Sequence, residues 1–392
     1  MKSAKKETYI YSAVRTPIGK FNGALSSLTA TELGSIVISE ALNRAGVPRD
    51  QVDEVIFGNV ISAGVGQAPA RQAALKSGLS DKVGATTINK VCGSGMKAVM
   101  MADQEIRVNE ARFIVAGGME SMSQAPFLVP QMRRGRKLGN AQMVDSLIHD
   151  GLWDHHANGH MGELSEKVSQ EYGISRESQD HYAVTSYQRV KTAQKDGMLA
   201  REIVPVQVNQ KGHSLVMDRD EQPDCDDLGQ FPSLPPVFDK ERGTITKCNG
   251  AKISDGAAAL VVGGESSALN PLARIVGYAT HAQSPATFAL APIEAVKKVL
   301  HRSHYQLNDI DLFEINEAFA VMSIIVHDAL GLDPEKVNVH GGSIALGHPI
   351  GATGTRILVT LINALKSRGL RRGLASLCIG GGEATAMIIE IV

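Results

Sequence analysis

Two cysteines and one histidine in this chain stand in settings where their side chains could act on a substrate. Cys92 lies in the segment VCGSGM, directly before a helical pattern, so the free N–H groups of a helix N-terminus would face its thiol. Positive potential lowers the pKa of a thiol and favours the thiolate, which is the reactive form. We therefore expect Cys92 to be a nucleophile with a lowered pKa, against the alternative of a structural thiol.

His348 interrupts a glycine-rich stretch, GGSIALGHPIGATGTR, which covers residues 341–356. Pro349 biases the backbone of His348 toward an extended conformation, so the imidazole is expected on a turn. The spacing of Gly342 and Gly347 begins like a phosphate-binding loop, but His-Pro stands where that loop needs Lys and Ser or Thr. A nucleoside triphosphatase is therefore disfavoured, and His348 is either a reactive group or a surface residue.

Two further polar positions end apolar strand patterns. Cys378 precedes three glycines, Gly380 to Gly382, whose exposed N–H groups could stabilise an oxyanion. Asn316 stands near the end of IDLFEINEA, residues 310–318, where its amide could donate a hydrogen bond directly or through water. The alternatives are a buried strand cysteine and an ordinary strand-end turn.

The elements that would position these residues alternate between helix and strand. Thr29 and Glu32 form a capping-box pattern before an apolar helical stretch, and VDEVIFGNV at residues 52–60 follows as a strand. The same order returns later, where Pro292 opens a helix and residues 310–318 read as a strand. Two similar halves predict an α/β fold with duplicated, layered halves and a site at their junction.

Composition changes between these halves, where a long helix pattern and a stretch rich in Pro and Asp suggest an inserted domain. Three domains are predicted. The N-terminal α/β half covers residues 1–119 and is completed by about 250–272, and the C-terminal α/β half covers 273–392. Between them lies an inserted loop domain at 120–249, for which the family named below implies coenzyme A and oligomer contacts.

Charge and composition disfavour several classes of function. The chain carries 40 Lys and Arg against 41 Asp and Glu, so no global field favours nucleic acid. No apolar run approaches the roughly 20 residues that span a bilayer, and the lysine-rich start leads directly into a strand pattern. We predict a cytoplasmic protein that binds neither nucleic acid nor membrane. No metal site is expected either, because the histidines of the insertion match no zinc pattern: His149, His155, His156 and His160.

Nine fragments of the sequence, taken in order, resemble the thiolase family over nearly the whole chain. They are VRTPIGKFNG, GQAPARQAALKSGL, VCGSGMKA, AGGMESMSQAP, HMGELSE, SDGAAA, NEAFA, GGSIALGHPIGATGTR and CIGGGE. The resemblance implies the thiolase-like α-β-α-β-α arrangement of duplicated halves with an inserted loop domain.

The resemblance also implies roles for individual residues. Cys92 would accept an acyl group, His348 would take its proton, and Cys378 would be the second acid/base, acting at the α-carbon. Asn316 would hold a water at the enolate oxygen, and the N–H groups of Cys92 and Gly380 would face the acyl-enzyme oxygen. The implied substrate pocket contains His160, Met161, Phe238, Ala251 and Phe319.

The implied activity is that of an acetyl-CoA C-acetyltransferase, or acetoacetyl-CoA thiolase, working by a ping-pong mechanism through an acyl-cysteine. Acetyl-CoA, acetoacetyl-CoA and CoA would be substrates and products, with no other cofactor. The alternatives are a thiolase for longer 3-oxoacyl-CoAs, a 3-ketoacyl synthase and a non-catalytic acyl-CoA-binding relative. Cys378 argues against the synthase, which normally lacks this second reactive cysteine.

Two regions bear on partners and on departures from the family pattern. Residues 122–145 resemble the family's tetramer-forming segment, so we expect a homotetramer, while a complex with another CoA-pathway enzyme is left open. The stretch TKCNGAKISDG departs from the small residues and Ser-Gly usual in thiolases at Lys247, Cys248, Ala251 and Lys252, which puts the CoA contacts in question. Glu383 is another departure.

Overall fold

The structure is a computed structural model that describes residues 6–210 and 213–392. Most of the lysine-rich start of the chain therefore lies outside the described residues. Within the described ranges the helices are α1 Ala30–Ala45, α2 Pro69–Lys76, α3 Ser94–Arg107, α4 Met161–Tyr172, α5 Arg176–Lys195, α6 Ala291–Ser303, α7 Ala320–Leu330, α8 Ser343–Leu346 and α9 Ile350–Arg368.

The strands of the same ranges are β1 Tyr9–Arg15, β2 Gly19–Lys20, β3 Val52–Gly58, β4 Gly84–Ile88, β5 Phe113–Ser121, β6 Phe127–Leu128, β7 Val144–Asp145, β8 Trp153–Asp154, β9 Gly159–His160, β10 Val206–Gln210, β11 His213–Met217, β12 Ser254–Gly263, β13 Ala273–Ala282, β14 Leu312–Ile315, β15 Arg372–Ile379 and β16 Glu383–Ile391.

The main sheet has the same pattern of strand pairing from its centre toward either edge. From β1 outward the order is β12, β5, β3 and β4, and from β13 outward it is β16, β15 and β14. In both directions the first two pairings are antiparallel and the next is parallel. A parallel bridge between Phe313 and Val337 stands where β4 would be repeated. The duplication predicted from the sequence is confirmed.

Helices separate these two halves of the sheet and cover their outer faces. The central pair, α3 and α9, packs in one apolar cluster with side chains from both halves of the sheet. Helices α1 and α2 cover the outer face of the N-terminal half, while α6 and α7 cover that of the C-terminal half. This gives the five layers of the predicted α-β-α-β-α arrangement.

Local signals place most element ends where the sequence predicts them. Thr29 caps α1, and its backbone N–H donates to Glu32 Oε2 at 2.8 Å, which completes the predicted capping box. The C-terminal strand pattern is shorter than expected, since β14 ends at Ile315. Asn316 still donates its backbone N–H to Ser376 O of β15 at 2.9 Å, and beyond it the side chains of Asn316 and Glu317 bond to neighbouring segments as the chain leaves the sheet.

The segment between β5 and β12 carries α4 and α5 and rests on the C-terminal half. Ser175 caps α5, and Ser186 within that helix donates to Glu317 Oε2 at 2.7 Å. Glu317 also accepts from the amide of Asn338 at 3.1 Å, so one buried carboxylate joins the insertion to the sheet. Across the described ranges, no helix is long and apolar enough to cross a membrane.

Candidate active site

A tight turn before α3 presents Cys92. The turn closes through Ser94, whose hydroxyl donates to Val91 O at 2.7 Å and accepts from Lys90 N at 2.8 Å. Val91 adopts φ of 46°, a left-handed conformation that is costly for a β-branched residue by about 1 to 3 kcal/mol. The strained turn thus places the next side chain, Cys92, at the N-terminus of the helix.

Cys92 is half-buried and lines a cavity, and its own backbone N–H and that of Gly380 lie close enough to favour the thiolate. Burial raises its pKa to about 11, the two N–H groups oppose that shift, and the Glu120 carboxyl adds to it. The expected lowered pKa is therefore wrong for the resting enzyme. Desolvation of the anion outweighs the helix N-terminus, so the thiol holds its proton and needs a base.

The hydrogen bonds of His348 define which ring nitrogen is free. Thr353 Oγ1 donates its only proton to Pro349 O at 2.9 Å, and it lies 2.6 Å from His348 Nδ1. Nδ1 must therefore carry a proton and donate to Thr353, which leaves Nε2 as the unprotonated nitrogen. Among the described residues Nε2 has no hydrogen-bond partner, so it is available to accept a proton.

Burial keeps the imidazole of His348 neutral. It lowers the pKa of His348 to about 3, and the positive charge of Arg356 contributes in the same direction. The backbone N–H of His348 donates to Lys252 O at 2.9 Å, which fixes the turn before α9. A neutral imidazole with a bare Nε2 is the protonation state that a general base requires.

Cys378 occupies the second-to-last position of β15 and is buried. Burial raises the pKa of its thiol well above 9, and a negative charge on Cys92 would raise it further, so the two sulfurs lie within electrostatic reach. Beyond the strand, the N–H of Gly381 donates to Asp154 Oδ2 at 3.1 Å. This bond helps hold the loop whose Gly380 N–H reaches Cys92.

Asn316 lies behind the cavity wall and is not one of the lining residues. Its side chain is buried, and its Oδ1 accepts a hydrogen bond from Ser343 Oγ at 2.6 Å. The Nδ2 group of Asn316 has no partner among the described residues. A water is needed to carry its influence to a substrate in the cavity.

One cavity of about 480 Å³ brings Cys92, His348, Cys378 and Gly380 together. Its walls are mostly apolar, which suits an acyl chain and a pantetheine arm. All five residues of the implied substrate pocket line it: His160, Met161, Phe238, Ala251 and Phe319. The roles assigned to these residues stay predictions.

The first turn of α4 shapes one wall of this cavity. His160 Nδ1 accepts from Gly162 N at 3.0 Å and so caps the helix, while its ring stacks on Phe238 with centroids 4.9 Å apart. A Cβ atom on Gly162 would come within 2.0 Å of the Phe238 ring. Glycine is therefore required for the ring of Phe238 to close the wall.

The segment that departs from the family pattern also lines the cavity. Lys252 Nζ donates to Lys247 O and lies 5.6 Å from the centre of the Tyr187 ring. Cys248 is buried and does not line the cavity. Glu383 pairs with Lys90, close to the turn that presents Cys92, which gives this second departure a structural role.

Sequence reasoning missed the buried carboxylate of Glu120. Its Oε2 accepts from Val60 N at 3.0 Å and from Gly351 N at 2.8 Å, while Oε1 accepts from Ile61 N at 3.1 Å. Burial raises the pKa of Glu120 to about 7, and these donors oppose the shift. The available signal was a glutamate that directly follows the apolar stretch FIVAGGM, in the fragment AGGMESMSQAP, and the structure shows the whole of β5 to be buried.

In the described ranges, no group of three or more His, Cys, Asp or Glu side chains is placed to hold a metal ion. His149 contacts His155 with ring centroids 4.9 Å apart, and its Nδ1 lies 2.7 Å from Asp150.

Comparison with known proteins follows the same division of the chain. Residues 8–266 match the sequence model described as the thiolase N-terminal domain, and residues 269–391 match the thiolase C-terminal domain. The chain therefore belongs to the thiolase family.

Individual relatives match along almost their entire length. An acetyl-CoA acetyltransferase from Cupriavidus necator is 49% identical over 390 residues, which cover 98% of this chain and 99% of the relative. The crystal structure of a Bacillus anthracis acetyl-CoA acetyltransferase superposes with a TM-score of 0.97 at 41% identity and covers 100% of both chains. The crystal structure of the Acat5 thiolase from Ascaris suum in complex with coenzyme A superposes with a TM-score of 0.93 at 44% identity. The match covers 99% of this chain and 100% of that one.

Proposed function

We propose that this chain catalyses the reversible condensation of two acetyl-CoA molecules to acetoacetyl-CoA and CoA. As a thiolase it is an acyltransferase, and its relatives are named acetyl-CoA acetyltransferases. The observation that supports the mechanism best is the meeting of Cys92, His348 and Cys378 in one largely apolar cavity. CoA is substrate and product, and the chemistry proposed here uses no other cofactor.

In the first half-reaction, Cys92 attacks the thioester carbonyl while its proton moves to Nε2 of His348. The tetrahedral oxyanion accepts hydrogen bonds from the N–H groups of Cys92 and Gly380, which lie near the sulfur in the resting enzyme. The C–S bond to CoA then breaks, and the departing thiolate takes a proton from Cys378. This leaves an acyl-Cys92, an imidazolium at His348 and a thiolate at Cys378.

That distribution of protons prepares the second half-reaction. The Cys378 thiolate removes an α-proton from the next acetyl-CoA, and its high pKa makes it a strong base for this step. The enolate oxygen accepts the Nε2–H of the imidazolium and a water held by Asn316. The enolate carbon attacks acyl-Cys92, and the released sulfur recovers its proton from His348. All three groups return to their resting states.

The assay that tests this function is the CoA-dependent loss of acetoacetyl-CoA, followed by its absorbance. Purified enzyme should cleave acetoacetyl-CoA and, in reverse, form it from acetyl-CoA alone. Rates on longer 3-oxoacyl-CoAs in the same assay define the chain-length preference. Binding of acetyl-CoA without turnover in either direction would contradict the proposal and favour a non-catalytic relative.

A homotetramer is part of the proposal. Large apolar side chains are exposed along residues 127–148, among them Leu138, which is 92% exposed, and Phe127 and Met143. Contact with other copies of the chain would cover this apolar surface. A monomeric mass in solution would contradict this part, and the Leu138→Glu variant should shift a tetramer toward smaller species.

The predicted cytoplasmic location is checked by assaying fractions of the source cells.

A further inference from the structure

A buried arginine, Arg356, stands behind the active site, and its recorded ion pair in the described ranges is a long one. Arg356 is 2% exposed, and its Nε and Nη1 have no hydrogen-bond partner among the described residues. The closest paired carboxylate oxygen, Glu314 Oε2, lies 3.8 Å from Nη1, and burial raises the pKa of Glu314 to about 8. A buried, poorly compensated cation costs stability, so its presence calls for another explanation.

Within the described part of the chain, the hydrogen bond that Arg356 makes leads to the active site. Its Nη2 donates to Ser343 Oγ at 2.8 Å, and Ser343 Oγ lies 2.6 Å from Asn316 Oδ1. A guanidinium has only donors, so the serine oxygen must be the acceptor in the first bond. The serine proton is then free for the second bond, and within the described residues its acceptor is Asn316 Oδ1.

This direction decides the orientation of the Asn316 amide. Because Ser343 donates, the amide oxygen must face it, and the NH2 group must point elsewhere. That NH2 group is the one without a partner in the described structure. If the amide were reversed, Ser343 Oγ could accept from both groups, but the serine proton would lose its acceptor and the amide oxygen would face the site of the enolate.

We propose that Arg356 is a positioning residue, which acts through Ser343 to hold the Asn316 amide with its NH2 group free to donate toward the enolate site. The inference rests on the proposed function and adds to it two residues that contact no substrate. The hydrogen bond from Ser343 should affect enolate-dependent steps more than acylation of Cys92.

The first test compares two half-reactions in Ser343→Ala. Uptake of radioactive acetyl from acetyl-CoA onto the protein reports acylation, and exchange of acetyl-CoA methyl protons in deuterated water reports the enolate. Exchange should fall about tenfold, the usual effect of losing one oriented hydrogen bond, while acyl uptake stays within about threefold. Thr360→Val is the matched control, because this buried hydroxyl of α9 bonds to Glu202 at 3.1 Å instead.

A double-mutant cycle separates positioning from general destabilisation. If Ser343 acts through Asn316, Ser343→Ala should have little further effect on exchange in an Asn316→Ala background. Arg356→Met should show the same loss of exchange as Ser343→Ala, with any additional effect on acylation measured separately. Additive losses in the cycle, or exchange at the wild-type rate in Ser343→Ala, would overturn the inference. Absence of exchange in the wild type would instead refute the proposed function.

Discussion

The two halves of the molecule offer the same three positions to the active site and fill them differently. In the N-terminal half, Gly58 of β3 pairs with Gly118 of β5, and Asn59 and Glu120 follow one and two residues later. In the C-terminal half, Ile315 of β14 pairs with Ser376 of β15. The same offsets lead there to Asn316 and Cys378, so Asn59 corresponds to Asn316 and Glu120 to Cys378.

The third position lies two residues before each central helix, where Cys92 precedes α3 and His348 precedes α9. These two side chains line the same cavity from opposite halves. A duplicated strand-turn-helix unit therefore supplies a nucleophile from one copy and a base from the other.

What distinguishes the halves is whether the polar groups satisfy one another. Asn59 Nδ2 donates to Glu120 Oε1 at 2.8 Å, and the other carboxylate oxygen holds the first turn of α9 through Gly351 N. Asn316 and Cys378 make no such pair: the Asn316 NH2 has no partner in the described ranges. Asn59 Oδ1 is also without a partner in the described ranges, but the Asn59 NH2 group is bound to Glu120 and helps fix the framework. The Asn316 NH2 group is unbound and can act on a substrate.

The largest expected effect is at the helix position of the N-terminal half. Cys92→Ser should lower turnover by about 10⁴-fold or more, because a serine hydroxyl supplies almost no anion at neutral pH and forms an oxyester. Mass spectrometry of the peptide around residues 91–96 should show acetylation in the wild type and no stable adduct in the variant. Cys225→Ala, at an exposed cysteine outside the cavity, is the control. Acetylation of the wild type at another site would contradict the assignment.

Cys378→Ala should separate the two half-reactions. Exchange of acetyl-CoA methyl protons, condensation and acetoacetyl-CoA cleavage should fall by about 10² to 10⁴-fold, since each passes through the enolate. Labelling of Cys92 by radioactive acetyl-CoA should persist, although more slowly if Cys378 protonates the departing CoA. Exchange near the wild-type rate would make Cys378 a structural strand residue, like its counterpart Glu120.

His348→Ala should reduce both half-reactions by about 10²-fold or more, because the imidazole serves thiol activation and oxyanion binding. Iodoacetamide should alkylate Cys92 more slowly at neutral pH in this variant.

In the wild type, a thiol pKa of about 11 means that the thiolate fraction, and with it alkylation, should rise about tenfold per pH unit through pH 9. A plateau below pH 8 would show that the thiol pKa is lowered after all.

The smallest effect on turnover is expected at the satisfied carboxylate. Glu120→Gln replaces an acceptor by NH2, so two of its four donors lose their acceptor and stability should fall by about 2 to 4 kcal/mol. Denaturant unfolding measures this loss, and activity of the folded fraction should stay within about tenfold. Glu105→Gln is the contrast: burial and Glu54 raise the pKa of Glu105 to about 7, so removing its charge should not destabilise the protein at pH 8. A catalytic defect at Glu120 comparable to that at Cys378 would refute the distinction between the halves.

The sequence by itself determined much of the fold, because its signals are local. The capping box at Thr29, the proline at the start of α6 and the repeated strand-helix order are properties of short segments, and they predicted the duplicated layers. The resemblance of nine short fragments indicated the family. It also named the residues that the structure places around one cavity, apart from Asn316, which lies behind the wall.

Tertiary structure alone decided the electrostatics and the partners of these residues. The helix N-terminus predicted a lowered pKa for Cys92, but the burial that raises it comes from segments far away in the sequence. Glu120 meets Gly351 across more than two hundred residues, and Arg356 reaches Asn316 only through Ser343. Local pattern predicts which helix or strand carries a side chain. The protonation state of that side chain depends on how much water the fold removes and which groups replace it.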